Sequence, residues 1–182
     1  YGAFSIMSEL RTNRIVPRDG LPSGSSGGII QVRSTTFTEN FSASISGMTW
    51  TEVPGLTTTI TPRRSDSKIL ISVTIGGIES SGLNQRMGMA LRKNSTNIAV
   101  NTTSGGQTSS SWAGSGTNSN DIRNQAAFTH LDSPGTTSAV TYRVMITTEG
   151  SYNMYINRSG SNASSSSVFK TASTMTLMEI SG

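Results

Sequence analysis

One histidine, His130, ten acidic residues and a large stock of serine are the material from which any catalytic or metal site in this 182-residue chain would have to be built. A zinc centre with several imidazole ligands cannot be assembled from a single histidine. Cysteine is absent, which removes disulfides, thiolate metal sites and cysteine nucleophiles together. His130 falls inside the strand-like stretch Ile122 to Leu131, where a lone histidine reads as structural. No Gly-x-Ser-x-Gly follows a strand and opens a helix, so no serine nucleophile is raised on an elbow. The acidic residues are scattered, with no close pair framed by aromatic sugar platforms. The glycine clusters precede strands rather than helices and lack the helix N-terminus that makes a phosphate cradle work. Asn-x-Ser/Thr triplets at Asn94 and Asn157 are expected by chance in so Asn- and Ser-rich a sequence. The side chains therefore point to no catalytic residue, no metal and no cofactor, and the chain reads as something other than an enzyme.

Charge narrows the partners. The formal net charge is +4 and the isoelectric point near 9.9, but the basic residues are dispersed. Arg11, Arg14 and Arg18, and the Arg63-Arg64 doublet, lie close together without forming a longer basic stripe. A phosphate-tracking groove combines clustered Lys/Arg with aromatic platforms, so no nucleic-acid partner is expected. No apolar run approaches the ~20 residues that cross a bilayer, and Tyr1 to Met7 lacks the basic start and long apolar middle of a signal peptide. A soluble chain with no membrane insertion is the expectation.

The elements that would position these residues are strands. Ile69, Ile71, Val73 and Ile75 alternate with Leu70, Ser72 and Thr74, a two-residue period rich in β-branched side chains. Leu56, Thr58 and Ile60 share one side of the preceding strand, which ends at Pro62 and joins the next through the polar Arg63 to Ser67. One strand or two are expected over Ile29 to Arg33 and Thr36 to Phe41, and further strands over Met48 to Val53 closed by Pro54-Gly55, Arg86 to Lys93, Ile122 to Leu131, Val140 to Thr147, Tyr152 to Ile156 and Thr174 to Ile180. Ile78 to Asn84 reads as a turn region, Glu149 to Ser151 as a hairpin connection, and Asn101 to Asn120 and Asn157 to Ser167 as polar loops. Regular short strands without helical period imply an all-β sandwich or barrel of antiparallel strands.

Three features bear on contact with other molecules. Residues 1–28 form an arm: Phe4, Ile6, Leu10, Arg11, Arg14, Ile15, Val16 and Arg18 precede a Gly/Ser linker, too little apolar surface to offset ~1–2 kcal/mol of backbone entropy per ordered residue. Such an arm orders by packing on something else, and residues 29–182 form the domain. In the strand Arg86 to Lys93, Met87, Met89 and Leu91 oppose Gly88, Ala90 and Arg92, which marks it as a candidate subunit interface. Trp112, the one large apolar residue of its loop, is either a contact residue at an exposed tip or a cover for a core edge. Only 13% of residues are charged, about half the usual ~25%, so the surface is built from Ser, Thr, Asn and Gly.

The runs Gly55-Leu-Thr-Thr-Thr-Ile-Thr-Pro62, Ser67-Lys-Ile-Leu-Ile71, Gly135-Thr-Thr-Ser-Ala-Val-Thr-Tyr142, Tyr155-Ile-Asn-Arg-Ser-Gly160 and Met175-Thr-Leu-Met-Glu-Ile180, in this order, resemble a family of small virion proteins of tailed bacteriophages, notably those of cyanobacteria and marine bacteria. Ser8-Glu-Leu-Arg-Thr-Asn-Arg-Ile-Val16 is similar to their short leader. The resemblance implies a jelly-roll-like β-sandwich that assembles as a homotrimer on the virion exterior after synthesis in the host cytoplasm, with no catalytic residues. Two roles follow from it. One is a capsid decoration (cement) protein or short head fibre, docked on the major capsid protein or tail proteins through the arm; the absence of a shaft repeat favours it. The other is the receptor-binding tip of a tail fibre, which would adhere to a host surface glycan.

Overall fold

The computed structural model describes residues 28–102, 107–116, 124–160 and 169–182. Eleven strands lie in that part of the chain: β1 (Ile29–Phe37), β2 (Phe41–Ile45), β3 (Thr51–Ile60), β4 (Lys68–Ser80), β5 (Arg86–Lys93), β6 (Thr96–Ile98), β7 (Trp112–Ser115), β8 (Asn124–Asp132), β9 (Val140–Thr148), β10 (Tyr152–Ile156) and β11 (Ser173–Ile180). Every pairing between them is antiparallel.

Two sheets result. In the first, β1, β11, β4 and β8 lie side by side, and β10 and β2 pair beyond the far end of β4. In the second, β3, β9 and β5 are followed by β6 and β7, which share one edge of β5. Taken in chain order, β1, β3, β4, β5, β7, β8, β9 and β11 make the two four-stranded layers of a jelly roll. This bears out the all-β, jelly-roll-like sandwich expected from the sequence.

The period-two pattern of β4 explains the packing. Ile69, Ile71, Val73 and Ile75 point inward with almost no exposure and meet Val140, Tyr142, Val144 and Ile146 of β9 and Met87, Met89 and Leu91 of β5 in one core. Each such aliphatic side chain contributes roughly 1.5–3 kcal/mol by leaving water. Leu56, Thr58 and Ile60 also face inward, as their shared parity requires.

Several boundaries differ from the sequence reading. Strand β3 runs on through Pro54-Gly55 with a register shift between Glu52 and Thr57, because an irregular edge strand tolerates proline. Gly55 is needed there: a β-carbon would stand 1.9 Å from the Phe37 ring that crosses from β1. Strand β4 continues to Ser80 through the expected turn region, since Ile78 and Ser80 still face the interior. The segment 149–151 connects different sheets and is not a hairpin, because β9 pairs in the second sheet and β10 in the first. The true hairpin joins β5 and β6 at Asn94, whose φ of 51° is left-handed.

At the middle of β4 the first sheet forks, with β11 paired before Gly76 and β10 after Gly77. Asn157, fully buried at φ 62°, fills the fork. Its Nδ2 donates to the carbonyls of Phe37 (2.8 Å) and Glu39 (3.1 Å), and its Oδ1 accepts from Ser173 Oγ at 2.6 Å. Ser173 Oγ in turn accepts from Gly76 N at 3.2 Å. One amide thus satisfies backbone groups that the fork removes from the ladder.

Candidate functional site

The ionisable groups that sequence alone could not place are occupied in holding the sandwich together. At one end, Tyr142 of β9 donates its hydroxyl to Asp132 Oδ2 at 2.7 Å, and Lys93 Nζ of β5 donates to both Asp132 oxygens at 2.9 Å. The cluster clasps β8 of the first sheet to β5 and β9 of the second. Burial first, and then the neighbouring Asp132 carboxylate, push the Tyr142 phenol well above its ordinary pKa, so it stays a proton donor. At the first sheet's border with the 61–67 connection, buried Glu179 accepts from Arg63 N at 2.7 Å and from Gln31 Nε2. His130 lies on β8 opposite Ile71, half-buried, on the side that faces the core. Among the described residues no three His, Asp or Glu side chains gather to hold a metal ion, and no helix is long and apolar enough to cross a membrane.

A cleft of about 360 Å³ opens on the second sheet, lined by Met48, Met87, Gly88, Gln107, Thr108 and Ser110 among others. Arg86 and Glu149, paired at 2.9 Å, also border it. The Thr147 and Thr148 hydroxyls lie buried in its wall without a hydrogen-bond partner.

The outward faces of the two sheets differ in charge. On the second sheet Glu52 and Arg143 stand 3.4 Å apart, and Arg92 reaches Asn97. On the first sheet the strand register lines up three cross-strand rows without an ionisable group. Val32, Met178, Leu70 and Leu131 form an apolar row across β1, β11, β4 and β8. Ser34, Thr176, Ser72 and Thr129 form a hydroxyl row beside it, followed by Thr36, Thr174, Thr74 and Ala127. Ser34 and Thr176 hydroxyls pair at 3.0 Å. Val32 is 49% and Leu131 47% exposed, and Ile29, opposite Ile180 at the apolar end, 59%. Lys68 borders the face at that end, and Arg158, 4.9 Å from the Tyr155 ring, lies beyond its other end near β10.

The residues singled out from the sequence are placed as follows. Met87, Met89 and Leu91 do not form a subunit interface; they are in the core of one chain, almost wholly unexposed. Gly88 and Ala90, the small residues opposite, are buried as well, so neither side of β5 offers a flat surface. Trp112 lies half-buried in the edge strand β7 and packs against the core, with its ring over Gly114. Phe4, Ile6, Leu10, Arg11, Arg14, Ile15, Val16 and Arg18 lie outside the described residues. The uncharged face was missed because its residues come from four strands; only the pairing register assembles them.

No protein-family model matches the chain, and no curated protein sequence does. Among solved structures it is similar to the VP2 protein of infectious bursal disease virus. In T=1 particles of a VP2 point mutant the likeness covers 93% of this chain and 40% of that one, at 12% identity and a TM-score of 0.43. In a VP2 subviral particle the figures are 94%, 43%, 10% and 0.41. The chain thus spans about two fifths of the VP2 chains, and similarity at this level carries no argument about function.

Proposed function

We propose that the chain is a structural protein of a bacteriophage particle, carried on the virion exterior as a homotrimer that decorates the capsid or forms a short head fibre. The arm, residues 1–28, docks it on the major capsid protein or on tail proteins. The observation that carries this reading is the division of labour in the sandwich. Lys93, Asp132, Tyr142 and Glu179 are engaged in joining its own strands, while three adjacent outward rows across β1, β11, β4 and β8 carry no charge. Such a body suits lying against neighbours better than turning over a substrate. The jelly-roll order and the resemblance of the five sequence runs to phage virion proteins agree with it.

The test is deletion of residues 1–22 followed by assembly with particles lacking the protein. The shortened chain is expected to fold and self-associate but to stay off the particles; normal incorporation would overturn the docking role of the arm.

A second reading, the receptor-binding tip of a tail fibre, is favoured by the cleft beside Arg86 and Glu149. A guanidinium-carboxylate pair flanked by Gln107, Thr108 and Ser110 is suited to the hydroxyls of a host surface glycan. Under that reading Arg86→Ala weakens adsorption to host cells while leaving particle assembly unchanged, and unaltered adsorption would remove it.

A further inference from the structure

We infer that the uncharged outward face of the first sheet, centred on the row from Val32 to Leu131, is where copies of this chain meet one another. The inference rests on the assembly reading above and names the surface it would use. Val32 and Leu131, exposed on the outer strands, are joined by the half-buried Met178 and Leu70 into one contiguous apolar row rather than scattered apolar residues. With strands about 4.8 Å apart and alternate residues about 6.8 Å apart, the four-by-three array covers roughly 400 Å². That is half of the ~800 Å² each partner contributes to a standard interface, so the array supplies the middle and bordering loops the rim.

Charge selects a second copy as the occupant. The chain carries a net charge of +4, so two copies repel wherever cationic surface meets its own image. The outward face of the second sheet would set Arg143 and Arg92 against themselves. The three rows of the first sheet, bordered by Lys68 at one end, offer no such conflict, and their Ser and Thr hydroxyls both donate and accept, so one row of them can pair with another. Self-complementarity of this kind is what a two-fold contact between identical chains demands; in a three-fold ring the contact is heterologous, and hydroxyls that both donate and accept pair there as well. In a three-fold assembly the same face of each chain lies toward the axis.

The experiment is sedimentation equilibrium of the full chain up to about 100 µM, a range that reveals association of micromolar strength. It is repeated for Leu131→Lys, for Val32→Lys and for Thr59→Lys, the last on the outward face of the second sheet, with circular dichroism confirming that each variant folds. The expected result is an oligomer for the original chain and for Thr59→Lys, and at least tenfold weaker association for Leu131→Lys and Val32→Lys. A chain that stays monomeric throughout overturns both this inference and the trimeric reading. An oligomer that survives Leu131→Lys and Val32→Lys unchanged overturns this inference alone and leaves the trimeric reading standing. Monomeric chain whose β1 and β8 amides exchange more slowly than their edge positions allow assigns the face to another segment, which also overturns it.

Discussion

Replacing Asn157 by alanine should be among the most damaging single changes in this fold, although the residue neither belongs to the apolar core nor touches solvent. Its amide makes three hydrogen bonds, to Phe37 O, Glu39 O and Ser173 Oγ. At about 1 kcal/mol net for each, their loss costs about 3 kcal/mol, and leaving buried carbonyls without donors adds to this. Alanine at φ 62° adds up to ~1 kcal/mol of backbone strain. The expected destabilisation is therefore about 3–5 kcal/mol. With a urea slope of about 2 kcal/mol per molar, the unfolding midpoint falls by about 1.5–2.5 M at fixed protein concentration. Asn157→Gly separates the two contributions: it removes the strain but not the lost bonds, and should recover only ~1 kcal/mol. Hydrogen exchange should show the junction of β1 with β11 opening first. A midpoint shift worth under ~1 kcal/mol in both variants would refute the reasoning, since it would mean the fork satisfies its backbone groups without this side chain.

Other outcomes follow from the same structure. The folded-state pKa of Tyr142 lies above the 10.0 of an ordinary tyrosine, so its contribution is complete below about pH 10. It is lost as the pH rises further, because only the unfolded chain can release the proton. Tyr142→Phe should lower stability at pH 8 by about 1.5–3 kcal/mol yet flatten its decline between pH 10 and 11, as read from urea midpoints; parallel curves would contradict the assignment. Gly55→Ala forces a methyl group into the Phe37 ring and should cost about 1–3 kcal/mol, a penalty that Phe37→Leu in the same chain partly relieves. Additive effects in that double-mutant cycle would show that the two residues do not meet. Met89→Ala should cost about 2–5 kcal/mol in thermal or urea unfolding while leaving self-association of the folded chain intact, as a core position requires.

Alternation made the layers legible before any coordinates. The inward sets Ile69 to Ile75, Leu56 to Ile60 and Val140 to Ile146 are visible as parity, because one residue of slip would turn every apolar side chain to water. Parity does not say what covers a face. Met87, Met89 and Leu91 look alike whether they meet another sheet of the same chain or a second subunit, and the small residues opposite them tipped the sequence reading the wrong way. Short strands were hidden by composition: β6 and β7 carry Thr96, Asn97 and Gly114, and they exist because β5 offers an edge to pair with. Asn157, in a stretch that reads as an ordinary polar loop, is intelligible only beside Gly76 and Ser173, residues brought together by the fork in β4. The same holds for the rows on the first sheet, whose members are separated by up to 146 positions, from Val32 to Met178.

The central claim is that this sandwich is a building block of a particle surface, and imaging purified virions by cryo-electron microscopy with the protein tagged at its C-terminus tests it most directly. Density for the tag at symmetric, exterior positions, in clusters of three, is the predicted result. Tagged protein recovered only from the soluble fraction of lysates, with particles free of it, would contradict the account.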